Sequence, residues 1–149
     1  MTERDAGNAV IEFIFVALLI LVPMVYFVTA VASIQRSNLG VSQAAREAGR
    51  AFATGASTPD GLARAHEAVR LALADEGLPD DASVRYVAVG SRCESGQIAP
   101  VLAPGAEFAV CVIRHTLLPG VPTLLAGHGI TTIGRFVVHV DDYRSAGPS

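Results

Sequence analysis

The chain has 149 residues, 51% of them apolar and 17% charged, with a formal net charge of −3 and two cysteines. That leaves room for one modest domain once an apolar N-terminal segment is set aside. It offers no basic tract or aromatic-interleaved patch for nucleic acid, and two cysteines are too few for a zinc site without histidine help.

The first element is set by hydropathy. From Phe13 to Gln35 no residue is charged, a stretch of about 23 residues that as a helix spans about 35 Å, slightly more than a hydrocarbon core. That length and uniformity exclude an ordinary core helix. Two readings follow. In one, Ala30-Val31-Ala32 before Ser33 is a secretory cleavage site, although the leader carries Glu3 and Asp5 against Arg4 alone. In the other the helix is retained, and Pro23 bends it by removing one backbone hydrogen bond. Glu12 stands at the head of the segment. A carboxylate left unpaired in lipid costs roughly 2.5–3.5 kcal/mol on insertion scales, so retaining it calls for a partner or for a place at the headgroup boundary.

The string Gly7-Asn8-Ala9-Val10-Ile11-Glu12-Phe13 has a polar leader, a glycine, and a glutamate fifth after it at the start of an apolar run. It resembles the class III signal of type IV pilins and pseudopilins. With Leu21-Val22-Pro23 and the later Ala44-Ala45-Arg46-Glu47-Ala48-Gly49-Arg50-Ala51, the chain resembles the TadE-like family of Tad pilus assembly proteins over about residues 4 to 54. The resemblance implies a bacterial minor pilin or pseudopilin-like protein of the cell membrane, single-pass, with its C-terminal domain extracytoplasmic. It implies a leader over 1–7, a transmembrane helix over 8–35 and a domain over 36–149. Prepilin peptidase would cut after Gly7 and free the amine of Asn8. Glu12 would pair with that amine on a neighbouring pilin and set the register of assembly. The implied partners are the membrane, other pilins or pseudopilins, and the peptidase, with no small-molecule substrate and no cofactor. The arginine count runs the other way, since Arg4 precedes the segment and Arg36, Arg46 and Arg50 follow it. The positive-inside rule alone would place the domain in the cytoplasm.

Helical patterning continues past the apolar segment. Ile34, Val41, Ala45, Ala48 and Phe52 form one stripe, with Arg36, Arg46, Glu47 and Arg50 off it. One helix from Asn8 to Ala53 is expected, loosened at Gly40. A loop at 54–57 leads to a second helix, with Thr58 as N-cap, Pro59 in the first turn, Gly77 at the end, and Leu62, Ala65, Val69, Ala72 and Leu73 inward. Three strand candidates follow, Val84–Val89, Glu107–Leu118 and Ile130–Val140, with Arg114 and Arg135 assigned to the solvent face. The expected fold class is α+β: a long N-terminal transmembrane helix continuing into a soluble domain with a second helix and an antiparallel sheet of about three strands. In a non-cytosolic domain Cys93 and Cys111 read as one disulfide tying the 91–105 loop to the sheet; in a cytoplasmic one they read as two reduced core thiols.

Catalytic patterns are missing. His66, His115, His128 and His139 have no metal-pair spacing on one element, although His115 and His139 are candidate cross-strand neighbours. There is no Gly-x-Ser-x-Gly elbow, phosphate loop or carboxylate pair, and Cys93 has no base beside it in sequence. The expectation is a protein that acts by contact, with no catalytic residue and no metal. The other class that fits the same residues is a secreted or membrane-anchored binding domain unrelated to pili.

Overall fold

A computed structural model describes residues 3–116 and 129–143, with side chains from residue 9 onward. The expected strand end at Leu117–Leu118 and the loop residue His128 lie outside the described residues. Helix α1 (Glu3–Ala53) and helix α2 (Thr58–Asp75) precede strands β1 (Ser83–Val87), β2 (Glu107–Thr116) and β3 (Ile130–His139). The sheet is antiparallel in the order β1-β2-β3, so the fold is α+β. The chain divides into two compact units, Met1–Ser33 and Ile34–Ser149, and α1 contributes to both.

In the first unit α1 contains an 18-residue window of mean hydropathy 2.7 with none of it buried, long and apolar enough to cross a membrane. The helix is continuous through Pro23. The hydroxyls of Thr29 and Ser33 donate to the carbonyls of Tyr26 and Ala30, each at 2.8 Å. Polar side chains in an apolar helix are thereby satisfied without a partner helix.

In the second unit the expected stripe is the buried face of α1 from Val41 onward, and Ile34 is half-buried. Val41, Ala44, Ala45, Ala48 and Phe52 are fully buried. Their spacing of three and four residues puts them on one side of a helix. The alanines let the helix lie close on the sheet. The extreme is at Gly134 of β3, where an added Cβ would run into the Val41 carbonyl and the Ser42 nitrogen. Gly40 does not loosen α1. It is a packing position, because a Cβ there would meet Leu78 Cδ1 at 2.5 Å.

Helix α2 begins one residue earlier than expected. Ser57, not Thr58, is the N-cap: its backbone is extended, its hydroxyl accepts from the amide of Asp60, and its carbonyl accepts from the amide of Gly61. The Asp60 carboxylate accepts from the amide of Ala56, one residue before the cap, at 2.8 Å, a shifted form of the capping box. Thr58 instead accepts from the Leu102 amide. Gly77, at φ +65, ends the helix in the left-handed conformation that glycine adopts most easily.

The sheet has two different faces. Phe108, Val110 and Val112 of β2 and Val138 of β3 point to the helices, with Tyr86 of β1. Phe52 meets Phe108 edge-on with ring centroids 5.0 Å apart, and Tyr86 packs 6.1 Å from Phe52. Burying a side chain such as Phe52 is worth roughly 1.5–3 kcal/mol. Val87, Ala109, Cys111 and Cys93 form a second cluster on the other face. Strand β1 stops at Val87, two residues short of expectation, because Gly90 takes φ +86 and the Ser91 amide turns back to the Ala88 carbonyl.

Candidate functional site

Gly7, Asn8, Glu12 and Pro23 all lie on α1. Glu12 is exposed on the helix surface beside the exposed side chains of Ile11, Phe13 and Phe15. A carboxylate among side chains of that kind is suited to an environment that supplies both an apolar surface and a positive charge.

Where α1 enters the second unit it is held by a buried polar cluster that pattern reading did not find. Ser37 is fully buried and lies 2.8 Å from both the Thr116 and Thr132 hydroxyls. The Arg114 guanidinium donates to Ser37 Oγ at 3.2 Å and to Thr116 Oγ1 at 3.0 Å. Its Nε donates to Asp81 Oδ1 at 2.6 Å and its Nη2 to Asp81 Oδ2 at 3.3 Å. The Arg114 side chain is 8% exposed, so the solvent-face assignment is corrected. Its phase explains why: Arg114 follows Phe108, Val110 and Val112 by twos and shares their face. Arginine is tolerated there because five donors in a planar fork can be met by one carboxylate and two hydroxyls. Arg135, on the alternate phase of β3, is exposed as expected. The cluster joins one residue of α1, two of β2, one of β3 and the segment before β1, so it fixes the seating of α1 on the sheet.

Cys93 and Cys111 form a disulfide with Cα atoms 5.7 Å apart, within the ordinary span. It holds the part of the 88–106 segment around Cys93 against the face of the sheet away from the helices, and Arg85 Nη2 adds a bond to the Ser95 carbonyl.

His115 and His139 are not brought together. His115 pairs with Thr131 and His139 with Glu107, at opposite ends of the β2–β3 ladder, which corrects the cross-strand pairing. His139 Nδ1 is 3.1 Å from Glu107 and Nε2 is 3.5 Å from Asp142. The hydrogen bond its ring donates to the Glu107 carboxylate is the main reason its pKa is raised. A shallow hollow on the outer sheet face is lined by Ser83, Arg85, Glu94, Ile113, His115 and Thr131. In it the Thr131 hydroxyl lies 3.0 Å from His115 Nδ1 on the exposed sheet surface, and no metal-ligand group of three is present among the described residues. Tyr86 is buried with its hydroxyl unpartnered among the described residues, and burial pushes its pKa up to about 12.

These features define an α+β domain whose spine helix is also a membrane-length apolar helix. No family model matches the chain, and no curated protein and no solved structure matches it.

Proposed function

We propose that this chain is a single-pass, pilin-like assembly protein of the TadE-like kind, a minor pilin or pseudopilin that acts through subunit contacts. One observation carries the reading. A single helix, α1, bears the Gly7-to-Glu12 motif, then the apolar segment, then the buried stripe of the domain. In this reading prepilin peptidase cleaves after Gly7, the Asn8 amine of one subunit meets Glu12 of the next, and Pro23 bends the helix within the membrane. A buried carboxylate becomes tolerable when a cation lies a few ångströms away. Only one axial stagger joins the two, so the pair sets register. The domain stands outside the cytoplasm, where the Cys93–Cys111 disulfide persists. The mechanism is association, and no residue acts as a catalyst.

The test is the N-terminus of the protein from its native membrane, by intact mass and peptide mapping. A start at Asn8 is expected. A start at Ser33 makes the chain a secreted domain and removes the helix argument; an intact Met1 leaves a plain anchor. In the processed protein, Glu12→Ala is expected to impair incorporation into the assembly while the domain keeps its thermal transition. Normal incorporation of Glu12→Ala sinks the register mechanism.

A further inference from the structure

The two edges of the sheet differ. Gly105, at φ +70, donates its amide to the Val140 carbonyl, and the Val140 amide donates to the Ala106 carbonyl. This is a bulge of the glycine type, and it sets the hydrogen-bonding phase of the β2–β3 ladder. Even-numbered residues of β3 bond to β2. Thr131, Ile133, Arg135, Val137 and His139 turn their N–H and C=O groups to the outer edge. The same phase carried across β2 turns Tyr86 of β1 outward, and its carbonyl accepts from the Ile98 amide at 2.9 Å. The chain thus closes part of the β1 edge itself. On β3 none of the outward backbone groups has a backbone partner among the described residues.

Long sheet edges are commonly blunted by proline, a bulge or a covering segment. Strand β3 has no proline and pairs with β2 residue for residue over its 10 residues. Ile133 and Val137 flank Arg135 on the outer face and are 37% and 44% exposed. On the helix side Ile130 and Phe136 are half-buried, and Arg135 is exposed, with no ion pair among the described residues. A strand laid along this edge would cover apolar side chains on both faces and bring one of its own side chains beside Arg135. A second β3 suits the place poorly. It would add another arginine to the same edge, and antiparallel pairing puts both α1 helices on one face of the sheet. Where the α1 backbone lies on Gly134, the two helices would stand about one strand spacing apart, roughly 4.8 Å, against roughly 8–10 Å for packed helices.

We infer that the free edge of β3 accepts an extended segment of another protein as a fourth strand, with apolar residues at alternate positions and a carboxylate beside Arg135. In such a contact the backbone bonds supply affinity and the alternate side chains supply specificity, here through a cross-strand pair of opposite charge. The acceptor lies wholly within the second unit and does not depend on processing at Gly7.

Hydrogen exchange of the full-length chain in detergent, read residue by residue by NMR, tests this. The probe is a synthetic peptide of about nine residues, an ordinary strand length, alternating valine and threonine with glutamate at its centre. In the free chain the amides of Ile133, Arg135 and Val137 are expected to exchange fast and those of Gly134 and Phe136 slowly. The peptide is expected to slow the first three about tenfold or more. N-methylation of alternate peptide amides should abolish the effect in one phase and spare it in the other. Lysine in place of the central glutamate should weaken binding about fivefold, the scale of an exposed ion pair, and Arg135→Glu should reverse that preference. Slow exchange of the three amides in the dilute free chain means that the chain covers its own edge, and protection that grows with chain concentration alone means a second copy. Either result overturns the inference, as does protection indifferent to N-methylation or to the sign of the central residue.

Discussion

Arg114 shows how a charged side chain comes to sit inside a small domain. Its fork is occupied by Asp81 on one side and by the Ser37 and Thr116 hydroxyls on the other, and Thr132 Oγ1 donates to its carbonyl at 3.3 Å. The two members of the ion pair are not equivalent, since the Asp81 side chain is 45% exposed and that of Arg114 only 8%. Truncating the exposed acid strands a buried cation, whereas replacing the buried cation by an apolar residue of similar length leaves an acid that water can solvate. Asp81→Ala is therefore expected to cost about 3–5 kcal/mol and Arg114→Met about 1–2 kcal/mol. Urea unfolding of the detergent-solubilised chain, followed by far-UV circular dichroism, measures both. If Arg114→Met proves the more damaging, hydroxyl contacts and packing matter more than the charge. The sequence hid this cluster for a physical reason. Arg114 was assigned to solvent by its chemistry and Ser37 was not singled out, yet Ser37 lies one turn before Val41 and Arg114 is in phase with Phe108. Position along the period was the better guide, and polarity mattered only through the partners supplied.

At the level of elements, helix and strand were both legible because their periods are plain. Of the stripe Ile34, Val41, Ala45, Ala48 and Phe52, the last four are the buried face of α1 and Ile34 is half-buried, and strands β2 and β3 begin at the expected residues, Glu107 and Ile130. What the pattern does not carry is how near the layers come. That depends on two glycines with opposite consequences. A Cβ at Gly134 meets backbone of α1 at Val41 and Ser42, which cannot yield without moving the helix. A Cβ at Gly49 meets the Phe136 ring at 2.5 Å and Val138 Cγ2 at 2.8 Å, and Phe136 is only partly buried. Gly49→Ala also gains about 1 kcal/mol of helix propensity, which offsets the crowding. Gly134→Ala is expected to cost about 2–3 kcal/mol or more from overpacking, and Gly49→Ala to lie within about 1 kcal/mol of the parent. Equal effects in thermal or urea unfolding would mean that α1 shifts freely on the sheet. The N-cap of α2 was misplaced by one residue because Ser57 and Thr58 are both good caps by type. The Asp60 carboxylate returning to the Ala56 amide fits Ser57 three residues before it.

For the molecule as a whole, the second unit is a sheet with unequal covers. Two helices bury one face, and the part of the irregular 88–106 segment around Cys93 covers part of the other, while Leu102 of the same segment packs on the helix side. A segment without regular structure buries few side chains, and here it contributes Cys93 to a small cluster with Val87, Ala109 and Cys111. The disulfide closes a sequence separation of 18 residues, and a loop of that size restricts the unfolded chain by about 3 kcal/mol in the entropic model. Small domains commonly need such a staple because their cores are limited. The aromatic cluster of Phe52, Tyr86 and Phe108 lies on the opposite face of the sheet. Replacing both cysteines, as Cys93→Ser with Cys111→Ala, is therefore expected to lower unfolding stability by about 3 kcal/mol. The near-UV circular dichroism of the aromatic cluster should persist below the transition. The 88–106 segment should become the first site of proteolysis. Collapse of the aromatic signal under native conditions would mean instead that the disulfide organises the whole unit. The same disulfide bears on compartment: an extracytoplasmic domain holds the bond oxidised, so trapping free thiols with an alkylating reagent in intact cells should leave Cys93 and Cys111 of the parent unlabelled. Labelling of both would place the domain on the reducing side, in agreement with Arg36, Arg46 and Arg50 following the apolar segment, and against the orientation that a pilin-like assembly requires.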